Sequence, residues 1–337
     1  MLDPMDYIGT FNSLSQSFVK QVSDNTGEWY HDLWIENARA NRNRIRKEGW
    51  ACSELQGKYK DKTTVMLGAG PSINKHLDQL RELQKDDNFV FVSVHSGVAH
   101  MLNNGITPHY CTIADADPTV KRFWSDLDMS LTKNTTLIAC INVHPSLIEL
   151  WQGPILWIVY YTGIKKIEKK YRKWFDINGC GQFFISLCSQ YNSGTAFAYL
   201  VFETPIIIFV GNELSFKDEG IQYYADKPDL KDTWKRKPAP DIYGNKVYTT
   251  YVLYSLKLAL EDFLGKVSGA GWFFNCSEEG IFGVSNKHGM LPWIQQLPLE
   301  YGIAQAKHIM LTGKPLTLHY PGADLRMPKF VTGGILQ

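Results

Sequence analysis

From Lys62 onward, short apolar runs alternate with longer amphipathic stretches. The runs Thr64–Leu67, Phe89–Val94, Tyr110–Ala114, Thr136–Ile141, Ile155–Tyr160, Pro205–Val210 and Trp272–Cys276 are too short for helices and almost free of charge. Such runs fit strands covered on both faces. Ile73, Leu77, Leu80 and Leu83 recur at three- and four-residue spacing and predict a helix after the first strand. Ser96–Leu102 predicts a second, closed by Asn104-Gly105. Asn192-Ser193-Gly194-Thr195 opens a third, running through Leu200, and a fourth covers roughly Thr249–Leu264. Repeated strand–helix–strand units predict an α/β fold: a Rossmann-like, mostly parallel sheet with helices on both faces.

The flanks carry a different pattern. Residues 1–60 read as a helical cap, with Trp29, Trp34, Ala38 and Ile45 forming an apolar stripe among Asn and Arg. This divides the chain into a helical N-terminal segment (1–60), a nucleotide-binding domain (61–300) and a C-terminal extension (301–337). Residues 161–176 hold Lys165, Lys166, Lys169, Lys170, Arg172 and Lys173 around Ile164, Ile167 and Trp174. At helical spacing this is a solvated amphipathic helix. The polar, Lys- and Pro-rich stretch 217–241 reads as a long loop, either a lid or an insertion.

Composition narrows the class only modestly. Lys plus Arg number 35 and Asp plus Glu 34, for a net charge of +1. That balance does not advertise nucleic acid as a partner, except as a modified acceptor. Aromatic residues make up 13%, which suits ring or sugar stacking as well as core packing, and is compatible with a homo-oligomer. The six cysteines form no Cys-x-x-Cys pair and sit mostly in apolar runs, as buried free thiols do in a reducing compartment. The N-terminus carries Asp3 and Asp6 without an apolar leader segment, and no run is long enough to span a bilayer. The expected location is cytoplasmic.

Candidate chemistry gathers where the strands end, since open α/β sheets bind ligands beyond the carboxyl ends of their strands. Gly68, Ala69, Gly70, Pro71 and Ser72 follow the first strand. Glycines let the backbone approach an anion, and amides at a helix start point towards it, so this turn is a candidate phosphate cradle. A tight turn alone also explains it. The full Gly-x-Gly-x-x-Gly fingerprint is missing, because Ile73 stands where the third glycine belongs. On the cradle reading, Gly70→Val abolishes nucleotide binding while the fold survives. His95 and Ser96 follow the second strand, Asp115 and Asp117 the third, Asn142 and His144 the fourth, Glu213 the Pro205 strand, and Asn275 and Glu278 the last. Asp115-Ala116-Asp117 could hold Mg²⁺ or Mn²⁺ at a diphosphate, or cap a turn before Pro118. His95 and His144 are candidate bases, His288 a weaker one. Ser193, Gly194 and Thr195 read either as a second anion site at a helix start or as ordinary capping. No Gly-x-Ser-x-Gly elbow and no zinc-spaced Cys/His set is present.

Several of these segments together resemble the MptE-like Rossmann proteins, which include the motility accessory factor glycosyltransferases. The likeness covers roughly residues 29–293. It rests on Trp34, Asn37 and Asn41, on Gly68-Ala69-Gly70-Pro71-Ser72, and on Gly105-Ile106-Thr107-Pro108 with Asp115. It continues through Ser193-Gly194, Gly211-Asn212-Glu213-Leu214 and Asn275-Cys276-Ser277-Glu278-Glu279-Gly280. The middle also resembles a bacterial sialyltransferase family, in which a Ser-Gly helix start binds the nucleotide and tyrosines hold its phosphate; Ser193, Gly194 and Tyr224 stand at the matching places. Glu213 replaces an Asp of the family pattern, and no histidine matches near Tyr248–Thr250.

The resemblance implies a nucleotide-sugar-dependent glycosyltransferase acting on a protein, glycan or nucleobase acceptor. Gly68–Ser72, Ser193, Gly194, Thr195, Tyr224, Asn275 and Glu278 would hold the donor. Asp115, His95 and Glu213 would carry the chemistry, with Asp115 and Asp117 on a metal. The alternatives are an ATP- and Mg²⁺-dependent diphosphokinase of the 6-hydroxymethylpterin type, or a nucleotide-binding module without catalysis.

Overall fold

A computed structural model describes residues 30–160, 164–175, 183–184, 189–217, 236–285 and 289–316. The described residues open with a helix over 30–45. The strands are β1 (Gly49–Trp50), β2 (Thr63–Leu67), β3 (Phe89–Val94), β4 (Tyr110–Ile113), β5 (Thr136–Cys140), β6 (Ile155–Tyr160), β7 (Phe183–Phe184), β8 (Ile206–Val210), β9 (Arg236–Pro240), β10 (Lys246–Thr250), β11 (Trp272–Asn275), β12 (Val284–Ser285), β13 (Gly289–Met290) and β14 (Gln295–Gln296). Ten of them form one sheet in the order β1-β6-β5-β4-β3-β2-β8-β11-β14, with β7 paired to β6. Every pairing in it is parallel. The α/β expectation holds, and all seven expected strands form within one residue of their expected ends.

Burial on both faces explains why these strands are so apolar. Along β3, Val90, Val92 and Val94 face one core while Phe89 and Phe91 face the other. Along β8, Ile207 and Phe209 lie on the first side and Ile206, Ile208 and Val210 on the second. The 30–45, Gln190–Leu200 and Tyr251–Val267 helices cover the first face; Leu77–Leu83 and Leu299–Thr312 cover the second.

The flanks are part of this body. Ile35, Ala38 and Ile45 lie in the main core, and Gly49–Trp50 adds a parallel strand beside β6. Residues 1–60 are therefore not wholly helical, and no packing break falls at 60. Leu299, Ala306 and Ile309 fill the second core, so the helix entering the expected 301–337 extension belongs to the body too. Within the expected 217–241 loop, Arg236–Pro240 is half of an antiparallel hairpin with Lys246–Thr250. Residues 218–235 lie outside the described residues.

The basic helix forms at Lys165–Phe175, with Ile167, Tyr171 and Phe175 buried beneath its lysines. Cys52, Cys111, Cys140 and Cys276 are buried free thiols, and burial pushes the Cys52 thiol up to about 12. Cys180 and Cys188 lie outside the described residues. No helix among the described residues is long and apolar enough to cross a membrane.

Candidate functional site

The strand order reverses between β2 and β8. From β2 the chain builds outward through β3 to β6, and from β8 through β11 to β14. A crevice belongs at such a point, beyond the carboxyl ends of the strands. The two strands run in register, Leu67 beside Val210, so the turns after them lie side by side. Gly68 N–H donates to Val210 O at 2.8 Å and Gly70 N–H to Gly211 O at 3.0 Å. A Cβ on Gly68 would stand 2.0 Å from Gly211 O.

At the expected phosphate cradle the turn is bonded within the chain. The Ser72 N–H, which was to bind a donor phosphate, donates to the Glu213 carboxylate. A Cβ on Gly70 would lie 1.6 Å from Glu213 Oε2. Gly68, Gly70 and Ser72 thus spend their amides on the neighbouring turn and its carboxylate, and Pro71 has none to offer. The turn does hold a carboxyl group, and that group is the chain's own. Gly280, at φ +91°, has its Cα against the Glu213 backbone, where a Cβ would stand 2.2 Å from Glu213 O. Ile281 N–H donates to that same oxygen at 2.8 Å. Burial raises the Glu213 pKa, against the opposing pull of the Ser72 hydrogen bonds. Glu213 is accordingly a clasp between two turns and not a group open to substrate.

The other expected donor residues are also committed. The third helix starts at Gln190, capped by Ser189, whose hydroxyl accepts from Asn192 N–H at 3.1 Å. Ser193, Gly194 and Thr195 lie inside that helix and are buried, not at its start. Ser193 N–H already bonds Ser189 O, and its hydroxyl pairs with Tyr160. Gly194 gives the helix room beside Met66 and Thr112. Asn275 Nδ2 donates to Phe282 O and Gln296 Oε1. Glu278 Oε1 accepts from Leu299 N–H at 3.1 Å, which secures the start of the last helix. Ala69 remains a half-buried part of the turn. Tyr224 and His288 lie outside the described residues.

The ends of β3, β4 and β5 are different. His95 opens a helix directly after β3, and its Nε2 stands 3.1 Å from Asp115 Oδ2 beyond β4. The histidine is buried while the Asp115 side chain is 41% exposed. Burial lowers the His95 pKa and the Asp115 charge only partly opposes this, which favours the neutral ring. Its Nδ1 is buried without a hydrogen-bond partner among the described residues. Asp117 Oδ1 caps the following turn by accepting from Thr119 N–H at 2.8 Å, which holds its pKa below the usual range. His144 caps its own short helix through Ser146 N–H. Among the described residues, no three His, Cys, Asp or Glu side chains converge as metal ligands. Asp115 and Asp117, one beside His95 and one capping a turn, do not by themselves supply a metal's full donor set.

The 30–45 helix closes this end of the crevice. Asn37 Nδ2 donates to Ala116 O and Asn142 O, each at 3.0 Å. Asn41 Nδ2 donates to Ile141 O at 3.1 Å and Val143 O at 2.7 Å. Two asparagines one helical turn apart therefore pin the helix to the loops after β4 and β5. Tyr30, at the helix's leading end, has its pKa raised by burial first and then by Asp117 and Asp115. Sequence reasoning had not assigned Tyr30 a role. The Asn37-x-x-x-Asn41 spacing was its only signal.

A family model described as 6-hydroxymethylpterin diphosphokinase MptE-like matches residues 36–219, more than half of the chain. The chain belongs to the MptE-like family. Its fold is similar to that of a MAf glycosyltransferase from Magnetospirillum magneticum AMB-1, with a TM-score of 0.54 at 16% identity. That likeness covers 78% of this chain and 42% of the other, so the chain spans less than half the length of this structural relative. No curated protein matches the sequence. The MptE-like match takes in the glycine turn, the Asp115 loop and the Glu213 clasp, and ends just beyond β8.

Proposed function

We propose that this MptE-like protein is a transferase that moves a sugar from a nucleotide-activated donor to an acceptor hydroxyl. The observation that carries the reading is the buried, neutral His95 holding one oxygen of a half-exposed Asp115 at the mouth of the crevice. With Oδ2 engaged, Oδ1 is left to take the proton of an acceptor hydroxyl. The acceptor oxygen then bonds to the anomeric carbon as the bond from that carbon to the donor phosphate breaks, and the electron pair leaves on the phosphate. His95 acts as an orienting donor and not as the base. The likeness to the MAf glycosyltransferase covers 78% of this chain, more than the family match over residues 36–219, which favours this reading over a minimal kinase.

Mg²⁺ or Mn²⁺ has no complete site among the described residues, and no step here depends on one. The glycine turn is taken up by Glu213, so the donor would lie towards β3 and β4. A second reading is favoured by the family description: transfer of diphosphate to 6-hydroxymethylpterin, with Asp115 taking the proton of the pterin hydroxyl.

Purified protein incubated with CMP-, UDP- and GDP-sugars, or with ATP, Mg²⁺ and 6-hydroxymethylpterin, separates the two. Release of nucleotide from one of the sugar donors, cut about 100-fold or more in Asp115→Asn, is the expected result. AMP formation from ATP that requires 6-hydroxymethylpterin, with no release from the sugar donors, supports the diphosphokinase. No turnover and no thermal shift with any of them would leave a module without catalysis.

A further inference from the structure

We propose that the ends of β4 and β5, beneath the leading end of the 30–45 helix, form a subsite for an uncharged polyhydroxylated ligand, the sugar acceptor. The proposal rests on the sugar-transfer reading and names the acceptor's chemistry, with Tyr30, Asp117 and Asn142 as the residues that read it.

Tyr30, Trp34, Asn37, Asn41 and Ile45 follow one another at three- and four-residue steps, so they share one face of the helix. The lower part of that face is fixed, because Asn37 and Asn41 are buried and between them bond four backbone carbonyls of the two loops. Tyr30 lies two turns ahead of Asn37, roughly 10 Å further along the helix axis. There it comes under the charge of both Asp115 and Asp117. The helix thus carries a half-buried phenol to the two carboxylates.

Asn142 supplies an independent observation. Its side chain is 7% exposed, and its Oδ1 has no hydrogen-bond partner among the described residues. A buried amide oxygen without a donor is costly, and a ligand hydroxyl is one way to satisfy it. Its position beside the carboxylate loop is fixed, since Asn37 Nδ2 bridges Asn142 O and Ala116 O.

Two carboxylates and an amide oxygen gather here beside one aromatic ring, with Arg122 and His144 acting on Asp117. Such a set suits a ligand that offers several O–H donors and a C–H face. The two carboxylates disfavour a phosphate, with the Arg122 charge opposing them in part. The donor's diphosphate and the acceptor's hydroxyls would therefore occupy different parts of the crevice, with Asp115 between them.

Saturation-transfer NMR on the full chain tests this with methyl glycosides of glucose, galactose, mannose and N-acetylglucosamine as neutral probes, and glucose 1-phosphate as the anionic one. At least one neutral glycoside is expected to bind wild type more strongly than glucose 1-phosphate. Its signal should fall about fivefold or more in both Tyr30→Ala and Asn142→Ala, which corresponds to a loss of roughly 1 kcal/mol of binding. Circular dichroism checks that each variant is folded; Tyr30→Ala alone carries the test if Asn142→Ala is not. No glycoside binding, binding that ignores Tyr30, or a preference for glucose 1-phosphate would overturn the subsite. Glycoside binding that depends on Tyr30, in a protein that turns over no nucleotide sugar, would keep the subsite and overturn the transferase reading. Donor turnover with no effect of Tyr30 on acceptor use would do the reverse.

Discussion

Two stretches of the same sheet edge treat their polar groups in opposite ways. At the β2–β8 switch point, Gly68 and Gly70 press against Gly211 and Glu213, and the amides and the carboxylate satisfy one another. At the ends of β4 and β5, Asp115 stays half-exposed, Asn142 keeps an unpartnered oxygen among the described residues, and Tyr30 comes under the charge of Asp117 and Asp115. The first stretch has a glycine pattern that suggests a ligand, yet its turns bind each other. The second has no glycine signature, yet it keeps functional groups available. A glycine turn shows only that something comes close to the backbone; what comes close is decided by the neighbouring strand.

The comparison can be broken most forcefully at Gly70. A side chain there would displace the buried Glu213 carboxylate, so Gly70→Ala should cost about 1–3 kcal/mol and Gly70→Val more. Urea denaturation of Gly70→Ala, Glu213→Ser and the double variant should show coupling of about 1 kcal/mol or more, because Glu213→Ser relieves the clash. Additive effects would mean the clasp does not exist.

Asp115→Asn addresses the open stretch. Turnover should drop by about 10²- to 10⁴-fold if the carboxylate is the base. Stability should change by less than about 1 kcal/mol, because the side chain is half-exposed and Asn is close to it in shape. A variant that unfolds instead would make Asp115 structural, like Glu213.

Asn37→Ala probes the joint between helix and loops. Leaving the buried carbonyls of Ala116 and Asn142 without their shared donor should cost about 2 kcal/mol. Thermal melting reads this loss, and wild-type stability in the variant would remove the helix as a wall of the crevice.

The smallest expected effect is a pH dependence at the clasp. Burial raises the Glu213 pKa above its unfolded value, so ionising it costs the folded state more than the unfolded one. Its contribution to stability is full below the ordinary glutamate pKa and is lost as pH rises through the raised value. Glu213→Gln keeps the acceptor for Ser72 N–H and lacks that titration. The Tm of wild type relative to Glu213→Gln should therefore fall between pH 4 and pH 8. A flat or rising difference would show that the carboxylate is not strained by burial.

Much of the fold was legible because parallel strands buried on both faces leave uninterrupted apolar runs. Phe89–Val94 and Ile155–Tyr160 form with the expected ends for that reason. The misses have local causes. Gly49–Trp50 is only two residues long and pairs with β6 more than 100 residues away, so no periodicity marks it. Asn192 and Ser193 look like a helix cap, but Ser189 takes that role three residues earlier. Arg236–Pro240 carries two prolines and reads as loop, yet it forms half of a hairpin.

The site was legible as a list of strand ends and not as an arrangement. His95 and Asp115 could be named because the residue after a parallel strand faces the crevice. That they meet at 3.1 Å depends on β3 and β4 being neighbours. Asn275 and Glu278 stand at a strand end as well, but tertiary contacts consume their side chains.

By itself, then, the sequence determined the strands, the α/β class and the residues available at the strand ends, because those follow from local periodicity and from burial on both faces. Only the tertiary structure decided which of those residues stay available. That choice depends on partners far apart in the chain, such as Ser72 with Glu213 and Asn37 with Asn142. A backbone amide or a carboxylate has few bonds to give, and a contact within the fold uses them before a ligand can.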